Sequence, residues 1–465
     1  KLYQIFHEIF FNLGNRFMPI KIKTYFRDGT ADTIWWDRHL WRFQDTLRYT
    51  TGKQPVKVVM DPEVQTLDMD LRNNSTKMKK TILFDWPGIW YNPRDEMVYW
   101  WSPNFYFNSD DSDFAPGLNI KKKYGPYEST TFRANYALNS KEIYWYLSGW
   151  RQSVHHLPRT KFYFWAFNRP GVKEYGAEIE KKWNRVYGRT PTHTFKSGFY
   201  LQPEYDMNRA EPLGFESGRI AVGYGSWSAG QGLVSVDVNA ATAIAPYSEW
   251  NFNRLTGTAT FKFKKVLGFE SKKRPDLNRN FIVNVRERIV AGKIWTDNRG
   301  VPGQEGYNIE GNSSNEMLRK NYLLDQFYGN ENLFSHYHLP GEGNLRGFVG
   351  RGERGAEALF SSTTELSLFK NIAKEDQDPI DLEFVTFIDG GIFFNRYNKI
   401  VRERDPSIIH YKSRTLADAG IGIRLNTELY ERDIYLRLDF PFYIYDGNVS
   451  NISVNNWVFS FQRSI

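Results

Sequence analysis

Arg432-Asp433-Ile434-Tyr435-Leu436-Arg437-Leu438-Asp439-Phe440-Pro441-Phe442-Tyr443 is the stretch that decides the fold. Ile434, Leu436, Leu438, Phe440 and Phe442 fall on one parity, and Tyr435, Arg437 and Asp439 on the other. A period of two is the signature of a strand, whose successive side chains point to opposite faces. Here one face is wholly apolar and the other carries full charges. Trp457, Phe459 and Phe461 repeat the pattern against Val458, Ser460 and Gln462, as do Val234, Val236 and Val238 against Ser235, Asp237 and Asn239. Ile143, Trp145 and Leu147 do so against Glu142, Tyr144 and Tyr146.

Such segments recur from about residue 98 to the end: 98–107, 117–124, 131–138, 142–151, 160–167, 172–184, 193–202, 217–227, 230–242, 254–266, 279–291, 356–369, 381–394, 415–426, 432–443 and 456–463. That makes about sixteen strands, each near the 9–11 residues that a tilted strand needs to cross a bilayer. A soluble antiparallel sandwich has the same period. Against it stand the unbroken run of strands and the bulky aromatics on both faces near strand ends, where interfacial girdles lie. The expectation is an all-β chain: an antiparallel transmembrane barrel over 98–465, behind a small soluble β-sandwich.

Composition agrees. The chain has 15 Trp, 28 Tyr and 35 Phe, 17% aromatic in all, yet its mean hydropathy is −0.58. No run approaches the roughly 18 apolar residues of a membrane-spanning helix. The absence of cysteine removes disulfides, thiolate metal sites and cysteine nucleophiles together. The formal charge of +8 is scattered among the strands, so nucleic acid is not an expected partner.

Three connections are long, 292–355, 395–414 and 444–455, and those after the eighth, twelfth and fourteenth strands are shorter. Long loops belong outside and short turns in the periplasm, which puts both chain ends in the periplasm of a Gram-negative bacterium. Lys1-Leu2-Tyr3-Gln4 shows no signal-peptide pattern, so a removed signal or a longer upstream region is expected. In residues 1–77, Ile20 to Phe26 and Thr33 to Trp36 flank Asp28-Gly29-Thr30 as a hairpin, and Val56 to Met60 and Thr66 to Asp70 are further strand candidates. Residues 78–97, rich in lysine at the start, read as a linker.

Four motifs in order carry a resemblance. Leu345-Arg346-Gly347-Phe348 sits in the longest loop. Phe387-Ile388-Asp389-Gly390-Gly391, Ala419-Gly420-Ile421-Gly422-Ile423-Arg424 and Leu436-Arg437-Leu438-Asp439-Phe440 follow it. Together they resemble the barrel of the BamA/TamA surface-antigen superfamily, which assembles or translocates proteins at outer membranes: the Arg-Gly-aromatic motif of its lumen loop, its Phe-x-Asp-x-Gly strand and the two strands after it. The resemblance implies that loop 292–355 plugs the lumen, with Arg346, Gly347, Phe348, Asp389 and Gly391 as the site, Arg346 paired to Asp389, and Glu365, Glu383, Arg424 and Arg437 around them. A guanidinium and a carboxylate suit such a pair because two parallel N–H···O bonds fix orientation as well as charge. Two features depart from the superfamily: no docking repeat precedes residue 98, and the chain ends Phe461-Gln462-Arg463-Ser464-Ile465 rather than on an aromatic residue.

Asp28-Gly29-Thr30, Val58 to Pro62, Leu67-Asp68-Met69-Asp70 and Asn73-Asn74 resemble the β-domain that ends gluzincin aminopeptidases. That implies a peptidase-like domain upstream. No catalytic, metal or cofactor site is expected in the chain itself: His7-Glu8 begins like His-Glu-x-x-His, but Phe11 stands where the second ligand belongs. Three functions follow. The first is a non-enzymatic barrel that anchors or works with a peptidase-like domain, as a subunit of an outer-membrane assembly or export complex. The second is an insertase or translocase with a lateral gate. The third is a membrane-tethered metallopeptidase whose catalytic half lies elsewhere. The expected partners are outer-membrane lipid and other outer-membrane or periplasmic proteins.

Overall fold

The computed structural model describes residues 4–11, 19–36, 44–63, 65, 74–85, 96–108, 113–125, 127–153, 159–169, 172–183, 192–203, 219–269, 279–297, 300–302, 305–311, 338, 341–349, 356–371, 380–397, 410–429, 432–447, 450–452 and 456–460. Every regular element of more than three residues among them is a strand.

The front region holds two small sheets. β1 (Gln4–Phe11) pairs antiparallel with β4 (Gln44–Thr51), and β2 (Ile20–Phe26) lies between β3 (Ala31–Trp36) and β5 (Pro55–Met60). The β2–β3 hairpin is the one expected. Its turn is made by Gly29 at φ +82, and by the Asp28 carboxylate, which accepts from the Thr30 amide at 3.0 Å and the Thr30 hydroxyl at 2.6 Å. Those bonds, with Lys53 beside it, pull the Asp28 carboxyl down to about 2. Ile22, Thr24 and Phe26 alternate into a core with Val58. The strand expected at Thr66 to Asp70 lies outside the described residues.

Strands β6 to β23 build one barrel in chain order. They begin with β6 (Lys79–Phe84), β7 (Glu96–Asn108), β8 (Asp113–Tyr124), β9 (Glu128–Tyr136) and β10 (Ile143–Ser153). Next come β11 (Thr160–Arg169), β12 (Val172–Trp183), β13 (Thr192–Gln202), β14 (Ile220–Gln231) and β15 (Val234–Ala243). The long members are β16 (Phe252–Phe269), β17 (Arg279–Thr296), β18 (Ala358–Asn371), β19 (Ile380–Tyr397), β20 (His410–Leu429) and β21 (Arg432–Tyr445). Two short strands, β22 (Ser450–Ile452) and β23 (Val458–Ser460), end the series. Each of the sixteen expected strands has a counterpart in β7 to β21 and β23.

The segment expected as a linker is a correction. Lys79–Phe84 pairs parallel with Glu96–Trp101, so the segment is itself a barrel strand, beside β7. The lysines led the sequence reading to a linker, yet Thr81, Ile82 and Phe84 supply the β-branched and aromatic residues of a strand. The Phe84 ring packs edge-on to Trp101 at 4.9 Å, and Glu96 pairs with Lys79 and accepts from the Thr81 hydroxyl at 2.8 Å.

The burial pattern establishes that the barrel crosses a membrane. Along β19, Glu383, Val385, Phe387 and Asp389 are buried, while Phe384, Thr386 and Ile388 between them are exposed. Ile388 is 64% exposed and Asp389 beside it 0%. Ile421, Ile423, Leu436 and Leu438 face outward with them, and Arg424, Arg437 and Asp439 inward. In water each such apolar side chain would forfeit about 1.5–3 kcal/mol of burial. Charged inside and apolar outside is the inverse of a soluble sandwich, and only a lipid surround makes it favourable.

Candidate functional site: an ion-pair cluster in the lumen

The inner rows of β17 to β21 converge on one group of charges. Ser361, Thr363, Glu365 and Ser367 line β18; Glu383, Phe387 and Asp389 line β19. Asp418, Gly422 and Arg424 belong to β20, and Arg437 and Asp439 to β21. The hydrogen-bonded register sets their heights: Thr363 lies beside Asp389, Glu383 beside Arg424, Arg424 beside Arg437, and Gly422 beside Asp439.

Into this group the β17–β18 connection delivers a single 3-10 turn, Arg346–Phe348. Arg346 is fully buried. Its Nε donates to Asp389 Oδ2 at 2.8 Å and its Nη2 to Asp389 Oδ1 at 2.9 Å, a bidentate pair. Its Nη1 donates to Glu365 at 2.9 Å and to Asp439 at 3.1 Å. The guanidinium carbon lies 3.6 Å from the centre of the Phe387 ring. Gly347 donates its amide to Asp418 Oδ2 at 3.0 Å. A Cβ at Gly347 would meet Asp418 Cβ and Ile444 at 2.9 Å, so only glycine lets the turn approach this closely. Phe348 enters an apolar cluster with Leu345, Ile309, Tyr307, Phe252, Val290, Phe393 and Ile444.

Around the turn the charges pair further. Arg424 reaches Glu365 at 2.5 and 3.0 Å, Arg286 reaches Glu383 at 3.1 Å, and Arg437 Nε lies 3.2 Å from Asp439. Arg437 also meets the His338 ring nitrogen, and donates to its carbonyl at 3.3 Å. Burial and the guanidiniums of Arg437 and Arg346 hold His338 well below the usual histidine range, as a neutral ring. Four arginines (286, 346, 424 and 437) thus face five carboxylates (365, 383, 389, 418 and 439). Breaking one member out of such a buried set leaves a partner's charge uncompensated, which costs more than the pair contributes when whole.

All nine residues singled out from the sequence sit in this one region. Asp439, Asp418, Arg286 and His338 were not singled out. The first had a signal, since it shares the inward parity of Arg437 two residues earlier. Asp418 had the same signal, sharing the inward parity of Gly422 and Arg424, but its role depends on lying opposite Asp389 across the β19–β20 ladder. Gly391 stands two residues beyond Asp389 on β19, where a Cβ would meet the Phe360 carbonyl and the Phe393 ring at 2.9 Å. Among the described residues no group of three or more His, Asp or Glu is placed to hold a metal. Chemically, the arrangement is a clamp.

No protein-family model matches the chain, and no curated protein matches it. Among solved structures it is similar to the crystal structure of BamA from Haemophilus ducreyi lacking POTRA domains 1–3. The identity is 11%, over 98% of this chain and 89% of that one, with a TM-score of 0.40. At that level of similarity the barrel stands on its own strand order and burial pattern.

Proposed function

We propose that the chain is an outer-membrane barrel of the surface-antigen superfamily type, shut by its own loop. In this reading it anchors a periplasmic peptidase-like domain within an outer-membrane protein assembly or export complex. The observation that carries it is the Arg346-Gly347-Phe348 turn seated on Asp389, because a loop fixed inside the barrel by buried ion pairs obstructs passive diffusion. A barrel that does not conduct works through its rim, its seam or its attached domain. Depleting the protein in its own bacterium and quantifying outer-membrane and surface proteins tests the reading. Loss or mislocalisation of a defined set of them is expected; an unchanged outer membrane contradicts it.

A second reading, a laterally gating insertase or translocase, is favoured by one observation. Among the described residues, β21 pairs with β20 over nearly its full length but with β23 only through Arg437↔Ser460, Leu438↔Phe459 and Asp439↔Val458, and with β22 only through Tyr443, Ile444 and Tyr445. Ladders of three residue pairs are short beside the β20–β21 one, and they are where the wall would part first.

A further inference from the structure

The loop that carries Arg346 has a second described limb, residues 305–311, which ends in a different stretch of wall. Glu305 is fully buried. Tyr200 on β13 donates its hydroxyl to the Glu305 carboxylate, and Arg254 on β16 donates to the Glu305 carbonyl at 3.2 Å, with its Nη1 3.6 Å from Glu305 Oε2. Two residues on, Tyr307 donates to the Leu255 carbonyl at 2.9 Å and meets the Thr256 hydroxyl at 2.9 Å. Its ring lies where a Cβ on Gly292 would stand, 2.4 Å from the phenol oxygen. The two limbs are tied to each other by backbone bonds of 3.0 Å, from the Gly343 amide to Asn308 and from the Leu345 amide to Ile309.

We propose that Glu305 is a second anchor of the plug, held by Arg254 and Tyr200, so that the loop spans the lumen as a strap fastened at two points of opposite charge. One end offers a carboxylate to an arginine of the wall, and the other an arginine to carboxylates of the wall. Such a strap carries little net charge of its own, so a membrane potential exerts little pull on it as a whole. Because the limbs are bonded together, release requires both anchors to break, and their contributions multiply in the release equilibrium. The inference rests on the closed-lumen part of the proposed function and adds how the closure is secured.

The test uses the full chain, which has no cysteine, with Ile309→Cys as reporter; Ile309 is 1% exposed. In proteoliposomes, the rate of labelling by a water-soluble thiol reagent is compared for Glu305→Ala, Arg346→Ala and the double variant. Each single substitution is expected to raise the rate about tenfold, and the double about a hundredfold. Equal rates for the double variant and Arg346→Ala alone would overturn the second anchor. Heat-modifiable gel mobility confirms that each barrel is folded. If the double variant does not fold, Glu305→Gln with Arg346→Lys replaces it, and the same product rule decides. Fast labelling of the reporter without either substitution would overturn the closed lumen itself, which separates that failure from failure of the second anchor.

Discussion

Replacing Arg346 with alanine removes one guanidinium that serves three carboxylates. Glu365 keeps Arg424 at 2.5 Å, and Asp439 keeps Arg437 at 3.2 Å. Asp389 loses both guanidinium donors at once and keeps the backbone amide of residue 346, at 3.5 Å. The net loss is therefore one under-compensated carboxylate rather than three. Breaking a buried pair costs about 3–5 kcal/mol when the charge stays dry. The space left by an arginine among carboxylates is polar enough to admit water, which lowers the figure to about 1–3 kcal/mol. Native-state hydrogen exchange reads this directly at the amides of Gly343, Leu345 and Phe348, which are bonded to Asn308, Ile309 and Leu345. Exchange there is expected to accelerate about five- to 150-fold, while the β16–β17 hairpin, paired over its whole length, keeps its protection. Arg346→Lys, which retains charge but not the fork, falls between wild type and alanine. Unchanged exchange in 341–349, or equal acceleration throughout β16 to β21, would refute the reasoning.

Gly347→Ala must push against Asp418 and Ile444, and we expect a loosened turn with the barrel intact, by about 1–3 kcal/mol in the same exchange measurement. Acid should loosen the loop through His338. Its folded pKa is depressed, so the released state binds the proton first; anchoring is complete above about pH 6.5 and weakens up to tenfold per unit as pH falls below it. His338→Gln should abolish that dependence without opening the loop at pH 7.5, and a pH profile unchanged in the variant contradicts it. Leu438→Cys with Phe459→Cys, opposite each other in the β21–β23 register, should form a disulfide under oxidation. Loss of activity on oxidation and its return on reduction would support strand parting; activity indifferent to the bond would remove the gating reading.

The barrel was legible because its strands alternate between lipid and lumen, so Leu436-Arg437-Leu438-Asp439 states both the element and its environment in four residues. The Arg346–Asp389 partnership was legible only through motif resemblance, since nothing local to either residue specifies a contact across 43 positions of chain. Three things were hidden for physical reasons. β6 was masked by its lysines, whose stems can lie along a strand while their charge stays in water. The pairing of Glu305 with Arg254 and Tyr200 depends on how a long loop folds back, which periodicity does not encode. The lengths of β16, β17, β19 and β20 exceeded expectation because hairpin pairing continues past the bilayer wherever neighbouring backbones still satisfy each other.

Ion conductance of the full chain reconstituted in a planar bilayer tests the central claim most directly, with insertion verified by heat-modifiable mobility of the same sample. A sixteen- to eighteen-stranded barrel with an empty lumen would carry a steady, porin-scale current. A lumen held by the Arg346 turn predicts a closed baseline with brief openings, and persistent opening once Arg346 and Glu305 are both replaced by alanine. A steady large current through the wild-type chain, unchanged by those substitutions, would contradict the account.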